Sequence, residues 1–303
     1  MKKKSSKTIG IIDWGTNSIR FDIYQIGSRY RPTLLYRFRR MVHMDSTVFT
    51  KHFFSSDICK MILKIFDDIT SIIAQWKIEE MYCLGTSSLR EAKNTKKLLK
   101  EIHKRTGLIF MVISGDKEAK LIADGVLKYH PIRKQTLLLD LGGGSTEFIF
   151  CKSKKVLWVK SIPLGSLQLQ SLYFKKHPPS LKNVEKARTF IQNLLHIHFS
   201  KTAVPVQSIG SAGTLKALLT LLPSQKNILY LHDLQKLFEK MHTQKINALR
   251  NILKTEGQRA DIILAGLLII IECLSFFKLT RILVSKRGLR DGILFSILRH
   301  GNI

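Results

Sequence analysis

The stretch LLLDLGGGSTEFIF, residues 137–150, decides the fold. Its apolar run ends at a glycine-rich turn and is followed by alternating apolar residues, the pattern of a β-hairpin with a glycine-containing turn. The same pattern occurs in IGIIDWGTNSIRFDIY, residues 9–24. At one constant offset in residue number, the two stretches align Asp13 with Asp140, Gly15 with Gly142 and Ser18 with Ser145. We interpret this match as an internal duplication, which predicts two halves of similar fold.

Helical and extended patterns surround the two hairpins. Apolar residues recur at helical spacing over residues 57–75, and a helix over 114–126 has Asp116 and Glu118 in its first turn, where the helix dipole favours acids. Further helices are predicted over 93–106, near 183–198, over 260–277 and at the end of the chain, and further strands over 109–113, 156–162, 206–209 and 281–284. Because strands and helices mix in both halves, the sequence predicts an α/β fold. We expect its two lobes to span residues 1–128 and 129–303.

The composition is that of a globular protein with an unusual charge. The chain has 303 residues, of which 45% are hydrophobic and 24% charged, which excludes an intrinsically disordered or collagen-like chain. Fifty Lys and Arg against 22 Asp and Glu give a formal net charge of +28. Such an excess favours a polyanionic partner such as nucleic acid, an anionic membrane or polyphosphate, although a basic proteome would produce it too. Residues 151–200 hold nine Lys or Arg and one acid, typical of either a solvated face or a polyanion groove.

Signals for export and membrane insertion are weak. The four cysteines form no CxxC motif and are expected to be buried thiols in a reducing compartment. The basic N-terminus is followed by an apolar stretch that Asp13 interrupts, so a signal peptide is not predicted. The longest apolar run, residues 262–271, is too short to span a bilayer. We therefore expect a cytoplasmic protein without a membrane partner.

The two hairpins suggest a phosphate clamp. Glycines let backbone N–H groups approach an anion, and neighbouring Ser and Thr hydroxyls add donors. The sequence has no Walker A lysine motif, and each glycine turn leads into a strand rather than the helix of a Rossmann turn. Asp140 and Glu147, beside the second turn, are oxygen ligands suited to Mg²⁺. A single hairpin of this kind is usually only a tight turn, but two aligned copies favour a phosphate site.

Eight sequence blocks, in order along the chain, resemble the Ppx/GppA family of exopolyphosphatases and guanosine pentaphosphate phosphohydrolases. They are IDWGTNSIRF (12–21), GTSSLREAKN (85–94), VISGDKEAKLIADGV (112–126), LLDLGGGSTEF (138–148), SIPLGSLQL (161–169), GSAGT (210–214), RADIILAG (259–266) and SKRGLRDG (285–292). The resemblance implies two ribonuclease-H-like lobes of the actin–hexokinase–Hsp70 superfamily with a cleft between them. It also implies a short, two-domain form, in which the C-terminal helical region of longer members is not expected.

The resemblance also implies roles for individual residues. Glu118 matches the catalytic glutamate, and Arg90 matches an arginine that could grip a phosphate or form an interlobe salt bridge. Asp140 and Glu147 match acids expected to hold Mg²⁺, with Asp13 assisting from the other lobe and a monovalent cation such as K⁺ as an additional candidate. The residues expected to cradle phosphates are Gly15, Thr16, Asn17, Ser18, Gly142, Gly143, Gly144, Ser145 and Thr146.

Three positions depart from the family pattern. Lys117 stands where the family usually has an acid, and Trp14 replaces a small aliphatic residue. The GSAGT block, at 210–214, lacks the threonine-rich form usual for the third loop. These departures leave the packing beneath the first loop and the details of the third loop open.

The expected activity is Mg²⁺-dependent hydrolysis of terminal phosphoanhydrides. Inorganic polyphosphate is the favoured substrate because a long polyanion suits the net charge, and guanosine pentaphosphate (pppGpp) is the alternative. A kinase of the same superfamily, a non-catalytic polyphosphate or nucleotide sensor and a nucleic-acid-binding protein are less favoured. Members of the family often dimerise, so a homodimer is also a candidate state.

Overall fold

The computed structural model describes residues 6–27, 31–42, 44, 47–153, 155–222, 225–301 and 303. The chain forms two compact units, Met1–Ser114 and Gly115–Ile303, and each is described by itself. The sequence predicts a lobe boundary between residues 128 and 129, after the helix over residues 115–127. The two units divide before that helix, between residues 114 and 115. The helix falls in the second unit because it packs on three strands and on the last helix of that unit.

A five-stranded sheet forms the centre of the first unit. Its strands are β1 (Lys7–Trp14), β2 (Ser18–Ile26), β3 (Pro32–Met41), β4 (Glu80–Gly85) and β5 (Phe110–Val112), in the order β3-β2-β1-β4-β5. The first three strands run antiparallel, while β4 is parallel to both β1 and β5. The helices of this unit are α1 (Thr47–Thr50), α2 (Ser56–Gln75), α3 (Ser87–Glu91) and α4 (Thr95–Thr106).

Aromatic side chains surround Trp14, the residue that stands where a small aliphatic one is usual in the family. The indole is fully buried at the end of β1, with ring centroids 5.3 Å from Phe66 and 5.6 Å from Phe110. Phe66 belongs to the buried face of α2. Ser55 caps the N-terminus of this helix, since its hydroxyl accepts from the Ile58 amide. A large aromatic core therefore fills the space behind the first glycine hairpin.

The second unit contains a six-stranded sheet. Its strands are β6 (Thr136–Leu141), β7 (Thr146–Lys152), β8 (Lys155–Ile162), β9 (Gln207–Ser211), β10 (Ile228–Tyr230) and β11 (Arg281–Val284), in the order β10-β11-β9-β6-β7-β8. Its helices are α5 (Gly115–Leu127), α6 (Ser166–Tyr173), α7 (Leu181–Phe199), α8 (Gly213–Leu221), α9 (Leu231–Met241), α10 (Ile246–Leu253), α11 (Ala260–Phe276) and α12 (Leu289–His300).

The two sheets share one topology. The order β3-β2-β1-β4-β5 of the first corresponds to β8-β7-β6-β9-β11 of the second, where β10 adds one antiparallel strand at the edge. The hairpins also close with the same bond, from the Gly15 amide to the Ser18 carbonyl (3.0 Å) and from the Gly142 amide to the Ser145 carbonyl (2.9 Å). The predictions of an α/β fold and of two similar halves are therefore confirmed.

Helix α11 forms the centre of the second unit's core and packs against α6, α7 and α9. Its one buried acid, Glu272, is bound by Arg188 and Gln192 of α7, so the charge is compensated inside an apolar helix. Within the described residues, no helix is both long enough and apolar enough to cross a membrane. Cys83, Cys151 and Cys273 are buried thiols, as predicted, and Cys59 is half-buried.

Some elements differ from the sequence predictions. Strands β3, β4 and β10 were not predicted, nor was the five-residue helix α3. Strand β3 is an exposed edge strand rich in arginine, so it lacks the apolar alternation that marks a half-buried strand.

Candidate active site

Three polar residues lie side by side across the second sheet, next to its glycine hairpin. Asp140 on β6 pairs with Glu147 on β7, and Glu147 pairs with Ser161 on β8. Because directly opposed residues project from the same face of a sheet, their side chains are neighbours. The hairpin register thus brings together the two acids that the sequence predicts as metal ligands.

Glu147 is the most buried of these acids, with 1% of its surface exposed. The hydroxyls of Ser145 and Ser161 both donate to its Oε1, each at 2.8 Å. Burial raises the pKa of Glu147 well above its ordinary value, and the neighbouring carboxylates of Glu118 and Asp140 raise it further, while the two hydroxyls lower it. A carboxylate in this environment binds either a proton or a cation strongly.

Glu118 reaches this group from the start of α5. It lies in the first turn of the helix, is 8% exposed and interacts electrostatically with Glu147. The helix can start here because Gly115 has no side chain: a Cβ at Gly115 would lie 2.6 Å from Ser161 Oγ. The structure therefore places the predicted catalytic glutamate with the predicted metal ligands of the second unit.

Asp140 is held by the third loop. The Ser211 hydroxyl at the end of β9 donates to Asp140 Oδ2, and the two residues are paired in register. Gly288 of the SKRGLRDG block lies against the same group, since a Cβ there would be 3.8 Å from Asp140 Oδ2. Two sequence blocks far apart in the chain thus converge on this carboxylate.

Ser161 and Ser211 were not predicted as site residues. Both lie inside blocks that carry the family resemblance, but their function depends on strand register rather than on a local motif. A prediction of which strands pair, and in which register, would have placed these serines opposite Asp140 and Glu147.

The second glycine loop is anchored to the start of α6. The Gly142 carbonyl accepts from the Ser166 amide at 3.0 Å, and the Gly143 carbonyl accepts from the amides of Leu167 (2.9 Å) and Gln168 (3.0 Å). Gly165 packs so closely on Gly143 that a side chain at position 165 would collide with the loop backbone. Because peptide units are planar, fixing these carbonyls also fixes the directions of the adjacent N–H groups.

Two hydroxyls predicted to bind phosphate have acceptors within the chain. Ser145 donates to Glu147 Oε1, and Thr146 donates to the Leu164 carbonyl. Their oxygens orient the site and the loop, and their contact with phosphate stays a prediction. The loop's phosphate contacts would then come mainly from the backbone N–H groups of 143–145, since the Gly142 amide closes the hairpin.

The first unit contains the corresponding hairpin. Asp13, the last residue but one of β1, is 7% exposed, and Thr16 and Ser18 are buried. The Asn17 carbonyl accepts from the Val42 amide at 2.9 Å. Arg90, on α3, donates through Nη1 to the Ile113 carbonyl at 3.0 Å. This bond fixes the guanidinium at the end of β5, and the role of Arg90 in phosphate binding stays a prediction.

The acids of the second unit could supply part of the coordination shell of a magnesium ion, with water and substrate supplying the rest. Within the described residues, no three His, Cys, Asp or Glu side chains form a metal-binding group. Mg²⁺ commonly uses only one or two protein carboxylates and completes its shell with water and phosphate oxygens. Asp140 and Glu147, adjacent and held by serine hydroxyls, supply such a pair of hard oxygen ligands.

The fold places the protein in a known class. Two sheets of matching topology, each with a glycine hairpin between its first two strands, define the actin- and hexokinase-like fold. The sequence profile of the Ppx/GppA phosphatase family matches residues 23–300, and the chain belongs to that family.

Individual proteins agree with this assignment. The chain is 25% identical to an exopolyphosphatase from Cytophaga hutchinsonii, with a TM-score of 0.87 over 98% of this chain and 99% of that one. It is 24% identical to the Ppx/GppA family member from Aquifex aeolicus, with a TM-score of 0.78 over 99% of this chain and 100% of that one. A bifunctional 3-dehydroquinate synthase/phosphatase from Fusobacterium nucleatum is 27% identical over 98% of this chain, which spans 47% of that protein's length. Family membership and the likeness to the exopolyphosphatase support the expected class of activity, a hydrolase acting on phosphoric anhydrides.

Proposed function

We propose that this chain removes terminal phosphates from phosphoanhydride chains in a Mg²⁺-dependent reaction, with inorganic polyphosphate as its substrate. The observation that supports it best is the grouping of Glu118 with Asp140 and Glu147 beside the second glycine hairpin. A similar solved protein of matching fold is an exopolyphosphatase. The proposal combines this grouping with membership of the Ppx/GppA phosphatase family.

Glu118 acts as the general base. Its carboxylate accepts a proton from the water that attacks the terminal phosphorus, a P–O bond forms, and the bond to the bridging oxygen breaks. The products are orthophosphate and a chain shorter by one phosphate. Positioning matters more here than a high pKa, and the contact between the start of α5 and Ser161 provides that positioning.

Asp140 and Glu147 would hold the magnesium ion, and the serine hydroxyls orient their carboxylates. When bound, Mg²⁺ neutralises negative charge on the phosphate oxygens. Burial and the neighbouring acids disfavour the ionised form of Glu147, so a nearby cation would stabilise that form. Asp13 of the first unit is kept as an additional candidate ligand.

The glycine hairpins and Arg90 bind the substrate's phosphates. The N–H groups of 143–145, in a loop held by α6, are the donors available to anionic oxygens. The first hairpin contributes the N–H groups of 16–18 in the same way, while the Gly15 amide closes the turn. Arg90 offers a planar, permanently charged donor. These groups hold the terminal phosphates and leave the catalytic carboxylates to the reaction itself.

Polyphosphate is preferred over pppGpp because of charge. A net charge of +28 suits a substrate with about one negative charge per phosphate, whose binding releases condensed counterions. A nucleotide such as pppGpp has only a few phosphates, so its binding would need far less positive charge on the protein.

The test is orthophosphate release from long-chain polyphosphate and from pppGpp, measured side by side with and without Mg²⁺, with Glu118→Gln as the control enzyme. We expect Mg²⁺-dependent release, greater from polyphosphate, and strong loss in the variant. Greater release from pppGpp would overturn the substrate assignment, and release from neither would overturn the activity.

A further inference from the structure

The loop that joins β11 to α12, residues 285–288, contacts both Asp140 and helix α5. Gly288 ends this β11–α12 loop, and a Cβ at that position would lie 3.7 Å from Ser211 Oγ and 3.8 Å from Asp140 Oδ2. The Gly288 carbonyl oxygen faces α5, since a Cβ at Gly125 would collide with it. Gly288 therefore lies beside a predicted metal ligand and also packs on the helix that carries the predicted base.

Ser285 fixes the start of the β11–α12 loop through its amide and its hydroxyl. The amide donates to the Gly210 carbonyl at 2.8 Å, next to Ser211, whose hydroxyl holds Asp140. The hydroxyl oxygen accepts from the Arg287 amide at 3.0 Å and lies 3.0 Å from Nε2 of His130. Because the Ser285 side chain is fully buried, bulk water does not reach it.

The surroundings of the Ser285 hydroxyl decide the direction of its bond with His130. A hydroxyl has one hydrogen to donate, and the Arg287 amide occupies a lone pair of the oxygen. Among the described residues, the acceptor within reach of that hydrogen is His130 Nε2. Ser285 therefore donates to Nε2, which requires a neutral imidazole with its proton on Nδ1. Burial lowers the pKa of His130, and the charge of Arg287 lowers it further, so the neutral form is favoured.

His130 is attached to the end of α5. The amides of Tyr129 and His130 both donate to the Val126 carbonyl, at 3.1 Å and 3.0 Å. Arg287 adds a second contact between the same two segments, since its guanidinium lies over the Tyr129 ring at 3.9 Å from the centroid. Helix α5 is thus bound to the β11–α12 loop at its end, while its start, which carries the predicted base, rests on Ser161.

We propose that neutral His130 is a positioning residue for the magnesium site, because its bond with Ser285 holds the β11–α12 loop in place beside Asp140. The inference rests on the proposed function, which assigns Asp140 to the metal. Without an acceptor on His130, the buried Ser285 hydroxyl loses its partner, and the loop shifts to find it another one. His130 acts through Ser285 and Gly288 and takes no part in proton transfer.

The contact itself is tested by NMR on the metal-free protein. The ¹⁵N shifts of the His130 ring should show a proton on Nδ1 and none on Nε2 at neutral pH. His130→Leu should speed hydrogen exchange of the Arg287 amide roughly tenfold, the effect of losing one hydrogen bond in the loop. His130→Gln offers an oxygen acceptor to Ser285 and should keep exchange near the wild-type rate. A proton on Nε2, or unchanged exchange in His130→Leu, overturns the proposal.

Magnesium activation tests the consequence for the site. His130→Leu should raise the Mg²⁺ concentration needed for half-maximal phosphate release roughly three- to tenfold, less than the 10–100-fold typical of a group that bonds a metal ligand directly. His130→Gln should restore most of the wild-type value. The control is His242→Leu, which removes the bond of a half-buried histidine to the Phe238 carbonyl in α9 of the same unit. Equal shifts in the two leucine variants, or no rescue by glutamine, overturn the proposal.

Binding of Mg²⁺ to the substrate-free protein separates this proposal from the proposed function. It is followed by the rise in melting temperature on adding Mg²⁺. If the wild-type protein releases no phosphate, but His130→Leu weakens Mg²⁺ binding and His130→Gln restores it, the positioning role stands and only the activity fails. If the wild-type protein releases phosphate and His130→Leu binds Mg²⁺ as tightly as it does, only this proposal fails.

Discussion

Gly115 and Ser161 are in such close contact that no other residue fits at position 115 without movement. A Cβ there would lie 2.6 Å from Ser161 Oγ and nearer still to Ser161 Cβ. Through this contact the start of α5, which carries Glu118, rests on the strand whose serine binds Glu147. The geometry of the base and that of a metal-binding carboxylate are therefore coupled.

We expect Gly115→Ala to reduce both stability and activity. Forcing a methyl group against Ser161 displaces the start of α5 or the Ser161 side chain, and overpacking of this kind costs about 1–3 kcal/mol. The control is Gly107→Ala, at a C-cap with φ of 72° and no neighbour within 4 Å. It should lose stability through backbone strain alone and keep its kcat. Thermal melting and steady-state kinetics are measured for both, and equal kcat values would contradict the coupling.

Ser161→Ala should raise the Mg²⁺ concentration needed for half-maximal activity roughly 10–100-fold, as for other groups that orient metal ligands. The loss follows because one of the two hydroxyls on Glu147 Oε1 is removed. Ser161→Thr keeps the hydroxyl and should recover most of the activity. Ser171→Ala removes a buried hydroxyl that donates to the Gln168 carbonyl, away from the acids, and serves as the control. A magnesium titration in which Ser161→Ala matches Ser171→Ala would exclude the positioning role.

The sequence predicts the parts of this fold that have local signals. Glycine turns between alternating apolar runs marked both hairpins, and their alignment anticipated the shared sheet topology. Strand β4 escaped prediction because EMYCLG is short and shows no clear alternation, and its place is set by pairing with β1. The neighbourhood of Asp140 and Glu147 also follows from the sequence, since a hairpin opposes residues at fixed separations.

The rest of the site depends on packing between distant segments. Glu118 was predicted from its block, but its approach to Glu147 requires α5 to pack on β7 and β8. Ser161 and Ser211 face the acids only because β8 and β9 pair in particular registers. The acceptors of the Ser145 and Thr146 hydroxyls could not be predicted either, because a sequence motif identifies a hydroxyl but not the group to which it donates.

Glu147→Gln should stabilise the metal-free protein at neutral pH. The folded-state pKa of Glu147 is raised, chiefly by burial. Its contribution to stability is therefore fully present below the unfolded pKa, about 4.3, and is lost as the pH rises through the higher folded pKa. The variant has no such loss, so its advantage in melting temperature should be largest at pH 7–8 and should vanish near pH 4.

Magnesium should reverse this order. A cation that binds the folded wild-type protein raises its melting temperature, and tighter binding raises it more. Glu147→Gln lacks the anionic ligand and should gain less. Melting curves at pH 8 with and without Mg²⁺ provide the measurement. Equal gains for the two proteins would place the ion elsewhere.

Asp140→Asn should raise the Mg²⁺ requirement sharply while keeping the fold. The amide can still accept the hydrogen bond from Ser211, so the loop contact survives, but the ligand loses its charge. Ser211→Ala is the companion variant, which keeps the charge and loses the orienting hydroxyl. We expect the first to impair magnesium activation more than the second, and an unchanged magnesium dependence in Asp140→Asn would move the metal site.

Glu118→Gln should lower kcat by roughly 10²–10⁴, the usual contribution of a general base, while leaving the melting temperature and the Kd for polyphosphate near their wild-type values. Glutamine keeps the shape of the side chain in the first turn of α5 but cannot accept the proton of the attacking water. Asp116→Asn changes an exposed acid in the same helical turn and is the matched control, because it also removes a charge that the helix dipole favours. Turnover of Glu118→Gln within a few-fold of Asp116→Asn would mean that another group takes the proton.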